Sequence, residues 1–443
     1  MKGRTLSLLR RLVDVREGEL AALFWSSGCG GLMLAAYYIL RPLREEMGVA
    51  GGVRNLPWMF TGTLLATLAA SPLFSLLVSR TPRRRFIPIA HHFFAFNLLL
   101  FFIFFHVLSP ERGAYVARGF FIWTSVFNLF VVSIFWGYMA DLFRSEQGKR
   151  LFGFISAGGT LGAVGGSFLT TSIVHAVGTV QLLLIAAVVL EIGVVALHRL
   201  EALSGSLSWS AAPAPAAAAH ATGAQAVEGS PAEFSRTGAW GGLTLVLRSP
   251  YLLLICLYML LFTTTSTFAY LEQARIVQAS AVTPEARTAI FARIDFLVNL
   301  VSIVAQMFLT GRIIKAIGLG ATQSILPSIS LAGFGVLMAY PQLGVLMTFQ
   351  VLRRSGDYAA AKPAREVLYT VVRREEKYKA KSFIDTFVYR SGDAIGAWVY
   401  KLLTLSGDPA TRVAMASLPI TAAWIAVCLV LGRWQRRMTA GTS

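Results

Sequence analysis

Charged side chains interrupt several of the longest apolar stretches of this 443-residue chain. Such residues pair with one another or line a solute path, because a charge at membrane depth costs roughly 2.5 to 3.5 kcal/mol even on the lower estimates. Those near the end of a stretch can instead extend to the membrane interface. The candidates are Arg41, Arg44 and Glu45 at the end of the first stretch, Asp141 at the end of the fourth, Arg293 and Asp295 early in the eighth, and Lys381, Asp385, Arg390 and Asp393 at the start of the eleventh and along it. Of these, Arg293, Asp385, Arg390 and Asp393 lie deepest, which favours a functional role.

Other kinds of chemistry find little support in the sequence. It contains no Gly-x-x-x-x-Gly-Lys-Ser/Thr phosphate loop, so we do not expect ATP hydrolysis or another enzymatic activity. Three cysteines, Cys29, Cys256 and Cys428, are far apart and lie within apolar stretches. Neither they nor the His91–His92 pair has metal-ligand spacing. We therefore expect neither a metal nor a cofactor.

The composition indicates which elements must position the charged residues. Hydrophobic residues make up 55% of the chain and charged residues 14%, which favours lipid over water as the solvent. A helix that spans the bilayer needs roughly 20 mostly apolar residues. Stretches of that length lie near 19–40, 56–79, 86–108, 114–140, 151–175, 178–198, 249–271, 289–311, 321–340, 342–361, 382–404 and 411–432. The tenth is the weakest, because Arg353, Arg354 and Asp357 interrupt it.

The spans fall into two sets of six. Between them, residues 204 to 240 form a low-complexity tract rich in Ala, Pro, Gly and Ser, which is typical of a flexible linker. We therefore predict five segments: a cytoplasmic N-terminus (1–18), a first six-helix bundle (19–200), a cytoplasmic linker (201–245), a second bundle (246–434) and a cytoplasmic tail (435–443).

The distribution of basic residues predicts the orientation in the membrane. Most of the 40 Lys and Arg residues fall in the two termini, the linker and alternate connections, which places both termini in the cytoplasm. The same bias explains the formal net charge of +18 without a nucleic-acid partner. We expect a multi-pass protein of the bacterial inner membrane.

Six spans, a linker and six more, with both ends inside, is the pattern of the major facilitator fold. By this analogy the chain is an all-α membrane protein of two pseudo-symmetric bundles, with a small-molecule site between them near the midplane. Carriers of this type commonly work as monomers, and we expect a monomer here. Gly158, Gly162 and Gly166 lie along one face of the fifth span, where they either allow close helix packing or line the solute path.

Two blocks carry a more specific resemblance. YYILRPLREEMG at 37–48 and KPAREVLYTVVRREEKYKAKSFIDTFVYRSGD at 362–393, together with KRLFGFISAGGTLG at 149–162, resemble the ATP:ADP antiporter family of plastids and intracellular bacteria, and more closely its bacterial relatives. The resemblance implies exchange of ATP or ADP without hydrolysis. It further implies that Arg41, Arg44, Lys381 and Arg390 bind phosphate, that Asp385 and Asp393 hold these cations between turnovers, and that Tyr37, Tyr38 and Trp136 flank a base or sugar.

The main hypothesis is therefore a secondary transporter of a small anionic solute, with a nucleotide or another phosphorylated metabolite as the candidate. Two alternatives stay open. One is a proton-coupled exporter of a cationic or amphiphilic solute, in which Asp295, Asp385 or Asp393 titrates. The other is a membrane scaffold or assembly factor that keeps the fold and does not transport.

Overall fold

The computed structural model describes residues 19–80, 83–143, 145–206, 239–308, 310–405 and 409–440. Within these ranges the chain is helical nearly throughout and has no β-strand, which confirms the predicted all-α class. The predicted N-terminal segment and most of the predicted linker lie outside the described residues. The five segment boundaries stay predictions.

The first bundle contains six long antiparallel helices joined by short connections. The first helix, predicted to end near residue 40, continues for ten more residues and keeps its charged residues helical. The helices are α1 (Glu19–Ala50), α2 (Leu56–Arg80), α3 (Arg83–Val107), α4 (Pro110–Leu142), α5 (Ser145–Val177) and α6 (Leu182–Ser206). A 3₁₀ turn at Val53–Asn55 precedes α2.

The second bundle begins after a short helix, α7 (Ala239–Arg248). Proline occupies the first turn of several helices in the chain, where its missing N–H leaves no hydrogen bond unmade. The helices that follow are α8 (Pro250–Ser280), α9 (Pro284–Phe308), α10 (Thr310–Ala339), α11 (Leu343–Gly356), α12 (Lys362–Leu368), α13 (Arg374–Phe383), α14 (Tyr389–Leu403) and α15 (Pro409–Ala440).

Among the described residues, 10 helices are long and apolar enough to cross a membrane. The tenth and eleventh predicted spans are the two that depart from this pattern. In the tenth, a π-helix at Asp357–Ala361 joins α11 to α12, and in the eleventh a π-helix at Ile384–Val388 joins α13 to α14. Both are continuous helical segments despite their charged residues. Together with the ten, they complete the twelve spans predicted from the sequence. Such π turns are frequent at functional sites.

Each bundle has its own apolar core, and a third apolar cluster joins the two. Phe60 and Phe121 of the first bundle pack in this third cluster with Phe268 and Tyr400 of the second. It lies toward the end of the molecule that holds the connections α1–α2, α3–α4, α5–α6, α8–α9 and α10–α11, which we call the loop end. The bundles are therefore in close contact at the loop end.

Polar contacts reinforce this closure. Glu46 of α1 is fully buried and accepts two hydrogen bonds of 2.7 Å from the guanidinium of Arg287 in α9. The rings of Trp58 and Trp398 pack edge to face at 4.8 Å, and Trp398 Nε1 donates to Thr61 Oγ1 at 3.1 Å. These contacts hold α1 and α2 against α9 and α14.

Helices α1 and α5 pack unusually closely within the first bundle. A Cβ atom added at Gly162 would collide with the backbone of Gly31, and one at Gly166 would collide with the carbonyl of Ala35. The glycine face predicted on the fifth span therefore packs against α1, as small residues at a membrane helix contact do.

Candidate solute cavity

A cavity of about 290 Å³ lies between the two bundles. Side chains of α1, α2 and α4 line it on one side, and side chains of α8, α9, α11, α12, α14 and the two π-helices line it on the other. Its charged lining is Arg41, Arg44, Arg353, Arg354, Lys362 and Arg390 with Glu45, Asp295, Asp357, Asp385 and Asp393. The described cations thus outnumber the carboxylates by one.

Two arginines from opposite bundles converge on one carboxylate in this cavity. Arg41 Nε of α1 lies 3.6 Å from Asp295 Oδ2, and Arg354 Nη2 of α11 lies 2.7 Å from Asp295 Oδ1. Asp295 is only 2% exposed, so its charge is compensated by these neighbours and not by water. One carboxylate balances one guanidinium, so this cluster keeps an excess positive charge that faces the cavity.

Arg44 is held one turn further along α1 by neutral and charged groups. Its Nε donates to Ser125 Oγ at 3.1 Å and to the Phe121 carbonyl at 3.3 Å, and its Nη1 lies 3.1 Å from Glu45 Oε1. The guanidinium lies 3.8 Å from the centre of the Phe121 ring. These contacts fix the direction of Arg44 toward the cavity.

Arg353 adds a second incompletely compensated cation. The side chain is 5% exposed, and its Nη2 donates to Ser266 Oγ, which is neutral. Its Nε has no hydrogen-bond partner among the described residues. A buried N–H without an acceptor is costly, so this group favours an incoming acceptor.

The α13–α14 side of the cavity carries acidic side chains. Asp393 accepts a hydrogen bond of 3.3 Å from Thr267 and lies 3.5 Å from Arg390 Nη1. Asp385 lies in the π-helix and is 6% exposed. The π turn shifts the register between Asp385 and Arg390, so that both side chains line the same cavity.

The structure brings together eight of the thirteen predicted site residues. Tyr37, Arg41, Arg44, Glu45, Asp295, Asp385, Arg390 and Asp393 all line the cavity. Their roles in binding or coupling stay predictions.

Five predicted site residues lie elsewhere. Tyr38 is buried and its hydroxyl lies 3.4 Å from Arg41 Nη1, while Trp136 borders a separate small cavity inside the first bundle. Lys381 is paired with Glu366 at 2.6 Å. Arg293 and Asp141 are exposed, on α9 and at the end of α4.

The sequence interpretation missed the contribution of the tenth span. Arg353, Arg354, Asp357 and Lys362 all line the cavity, and Arg354 forms the shortest described contact to Asp295. The signal was present, because these charges interrupt an apolar stretch in the same way as those of the eleventh span. In the sequence interpretation these interruptions instead mark the tenth span as the weakest.

Solved structures of three transporters share this architecture. A bacterial homologue of the iron transporter ferroportin, in an inward-facing state, matches with a TM-score of 0.66 and 12% identity, covering 94% of this chain and 98% of its own. The nucleoside transporter NupG matches with a TM-score of 0.59 and 11% identity over 94% and 98%. An auto-inhibited peptide transporter of the POT family matches with a TM-score of 0.61 and 12% identity over 94% and 97%.

The chain has the major facilitator fold. The coverage includes both bundles, so the likeness extends over the whole architecture. No protein-family model matches the sequence, and no curated protein matches it. At 11 to 13% identity the structures establish the fold, and the solute has to be argued from the cavity.

Proposed function

We propose that this protein is a secondary transporter that moves a small anionic solute by alternating access of its central cavity. The observation that carries the proposal is the convergence of Arg41 and Arg354, one from each bundle, on Asp295. Two buried guanidiniums on one carboxylate leave room for a second anion. Arginine suits this task because it remains charged and presents a planar fork to carboxylates and phosphates.

The arrangement suggests how an anion would couple to the motion of the bundles. A carboxylate or phosphate placed between Arg41 and Arg354 would contact both bundles at once. Arg353 lines the same cavity and adds a further guanidinium near such an anion. A solute that bridges the bundles stabilises the occluded state more than either open state, which is the differential binding that drives a conformational shift.

Within the anionic class, we propose a nucleotide or another phosphorylated metabolite. The arginines that carry the resemblance to the ATP:ADP antiporter family, Arg41, Arg44 and Arg390, line the cavity. So does Tyr37, an aromatic side chain suited to a base or sugar. NupG, a nucleoside transporter, has the same fold. A cavity of about 290 Å³ is at the lower end of small-ligand pockets, so the bound state requires some opening of the bundles.

We further propose that both termini are cytoplasmic and that the protein resides in the bacterial inner membrane, as the positive-inside bias predicts. In this orientation the loop end faces the outside. The buried Glu46–Arg287 pair and the Trp58–Trp398 contact then lie on the outer side and hold the two bundles together there.

Transport assays on purified protein in proteoliposomes test the proposal. The probes are radiolabelled ATP, a sugar phosphate, inorganic phosphate and a dicarboxylate, each with empty and preloaded vesicles. We expect saturable uptake of at least one probe, reduced at least about tenfold by Arg354→Gln and unchanged by Arg293→Gln. Arg293 is a matched control because it is exposed on the same helix as Asp295. Absence of saturable uptake of every anion would refute the anionic solute.

The acidic side of the cavity favours a second candidate, a proton-coupled transporter of a cationic solute. Asp385 and Asp393 line the cavity next to Thr267 and Arg390. A cationic probe that acidifies the vesicle exterior or interior upon transport, with the effect abolished by Asp385→Asn or Asp393→Asn, would favour this function. If these variants still transport an anion, the carboxylates of Asp385 and Asp393 serve only to hold the arginines in the unsubstituted protein.

A further inference from the structure

The first bundle contributes a wall of neutral polar side chains to the cavity. Thr67 of α2 and Thr124, Ser125 and Asn128 of α4 all line it. The charged lining residues come from α1 and from the second bundle, and none of the described lining residues of α2 or α4 carries a charge. This wall therefore offers hydrogen bonds without charge, and it faces the charged side chains of the second bundle.

Thr67 has a buried hydroxyl group that makes no hydrogen bond within the described part of the chain. The residue is 1% exposed, yet its Oγ1 has no partner there. Other buried hydroxyls of the same bundle donate to the carbonyl one turn earlier, as Ser71 does to Thr67 and Thr124 does to Phe120. A buried hydroxyl without a partner is costly. Because Thr67 lines the cavity, a bound solute is in a position to supply the missing partner.

Asn128 places a second hydrogen-bonding group beside the arginines of α1. Arg44 Nε donates to Ser125 Oγ at 3.1 Å, which fixes α1 against α4. From this contact, Asn128 is three residues further along α4, which runs away from the loop end, and Arg41 is three residues back along α1, which runs toward it. Both lie about 4.5 Å from the contact in the same direction. The Asn128 amide, which has donors and an acceptor, is therefore at the level of Arg41.

We propose that the solute is a phosphorylated sugar or polyol, whose phosphate binds the arginines and whose hydroxyl groups bind Thr67 and Asn128. This inference rests on the proposed function and narrows it. A hydroxyl group both donates and accepts, so it satisfies either a threonine hydroxyl or an asparagine amide. An alkyl or aromatic group in the same place would leave the Thr67 hydroxyl without a partner. A solute with hydroxyl groups on one part and a phosphate on another matches both walls.

The size of the cavity also favours a compact solute. Its volume of about 290 Å³ is at the lower end of small-ligand pockets. A sugar or polyol monophosphate is smaller than ATP, which adds a base and further phosphates. The bundles therefore need to open less to admit it.

The test compares phosphate esters that differ only in their hydroxyl groups. The pairs are glycerol phosphate with propyl phosphate, and ribose phosphate with dideoxyribose phosphate. Isothermal titration calorimetry on the protein in lipid nanodiscs gives the dissociation constants. In at least one pair we expect the hydroxylated ester to bind at least about tenfold more tightly, because its analogue leaves buried polar groups of the site unpaired. The charge is equal within each pair, so electrostatics does not produce the difference.

Two threonines of α2 provide a matched pair of variants. We expect Thr67→Val to lower the preference for the hydroxylated ester at least about threefold, and Asn128→Leu to act in the same direction. Valine keeps the shape of threonine and removes an unsatisfied hydroxyl, so the variant should fold. Thr63→Val is the control. Thr63 lies one turn earlier, is also 1% exposed and has an equally unpartnered hydroxyl, but it lies outside the cavity lining.

The outcomes separate this inference from the proposed function. Equal binding within both pairs, or equal effects of Thr63→Val and Thr67→Val, overturns the hydroxyl site and leaves the anionic solute in place. If none of these esters binds while ATP does, the solute is a nucleotide and the inference is overturned. If ATP also fails to bind, the proposed phosphorylated solute is refuted as well.

Discussion

Arg41 of α1 and Asp295 of α9 meet across the cavity, with 3.6 Å between Nε and Oδ2. The contact joins the two bundles through a single carboxylate that Arg354 also contacts. Asp295 therefore compensates part of the charge of these two arginines, and an anionic solute would compensate the rest. An empty carrier keeps its charges paired through Asp295, and a loaded carrier has the solute in addition.

This relationship predicts a separation of two transport modes in Asp295→Asn. Without the carboxylate, the empty carrier has to bring two buried guanidiniums together uncompensated, which is strongly unfavourable. The loaded carrier still has the anion of the solute. We expect exchange with preloaded vesicles to persist, while net uptake into empty vesicles falls at least about tenfold. Parallel loss of both modes, or retention of both, would show that Asp295 does not substitute for the solute.

The Glu46–Arg287 pair predicts a shift in conformation. Replacing one partner of a buried pair leaves the other uncompensated, so Glu46→Gln should weaken closure at the loop end. The measurement is labelling of a cysteine introduced at Gln273, which lines the cavity, by a membrane-impermeant thiol reagent. We expect labelling at least about tenfold faster in the Glu46→Gln background.

Exchanging the two charges supplies the control for this prediction. The Glu46→Arg/Arg287→Glu variant restores opposite charges across the same contact and should return labelling toward the original rate. If labelling in Glu46→Gln equals that of the parent, the pair does not determine closure.

The α1–α5 contact predicts a contrast between two glycines of one helix. A Cβ at Gly162 collides with the Gly31 backbone, which cannot move aside, whereas a Cβ at Gly165 has nothing within 4 Å. We expect Gly162→Ala to destabilise the protein by about 1 to 3 kcal/mol, as overpacking does, and Gly165→Ala to have little effect. Thermal unfolding in detergent compares them. A similar loss for both would indicate a general effect of alanine in α5.

The sequence predicted the helices of the fold better than the contacts between them. Apolar length and the distribution of Lys and Arg were sufficient for twelve spans in two sets, because both are local properties. The extension of α1 from residue 40 to Ala50 was not predicted, because Glu46 is tolerated there only through Arg287, which is 241 residues away. Long-range charge pairing of this kind leaves no mark on local hydropathy.

Because local hydropathy does not reveal long-range contacts, the sequence predicted the candidate site only in part. Depth alone placed Arg293 and Asp295 together in the sequence interpretation, yet the two side chains face opposite ways on α9, one exposed and one buried. Lys381 is a candidate phosphate ligand through the family resemblance, and in the structure it pairs with Glu366. Arg354 was not predicted as a site residue, because the sequence does not indicate the π turn that keeps the interrupted tenth span helical.

The most direct test of the anionic solute is a thermal-shift titration of the detergent-purified protein with nucleotides, sugar phosphates, other organic anions and cationic drugs. A ligand that binds the folded state raises its apparent stability by mass action. We expect stabilisation by at least one phosphorylated anion, lost in Arg354→Gln and Arg41→Gln and retained in Arg293→Gln and Lys381→Gln, whose side chains lie outside the cavity. Stabilisation only by cations, or an anion effect that persists without Arg354 and Arg41, would contradict the account.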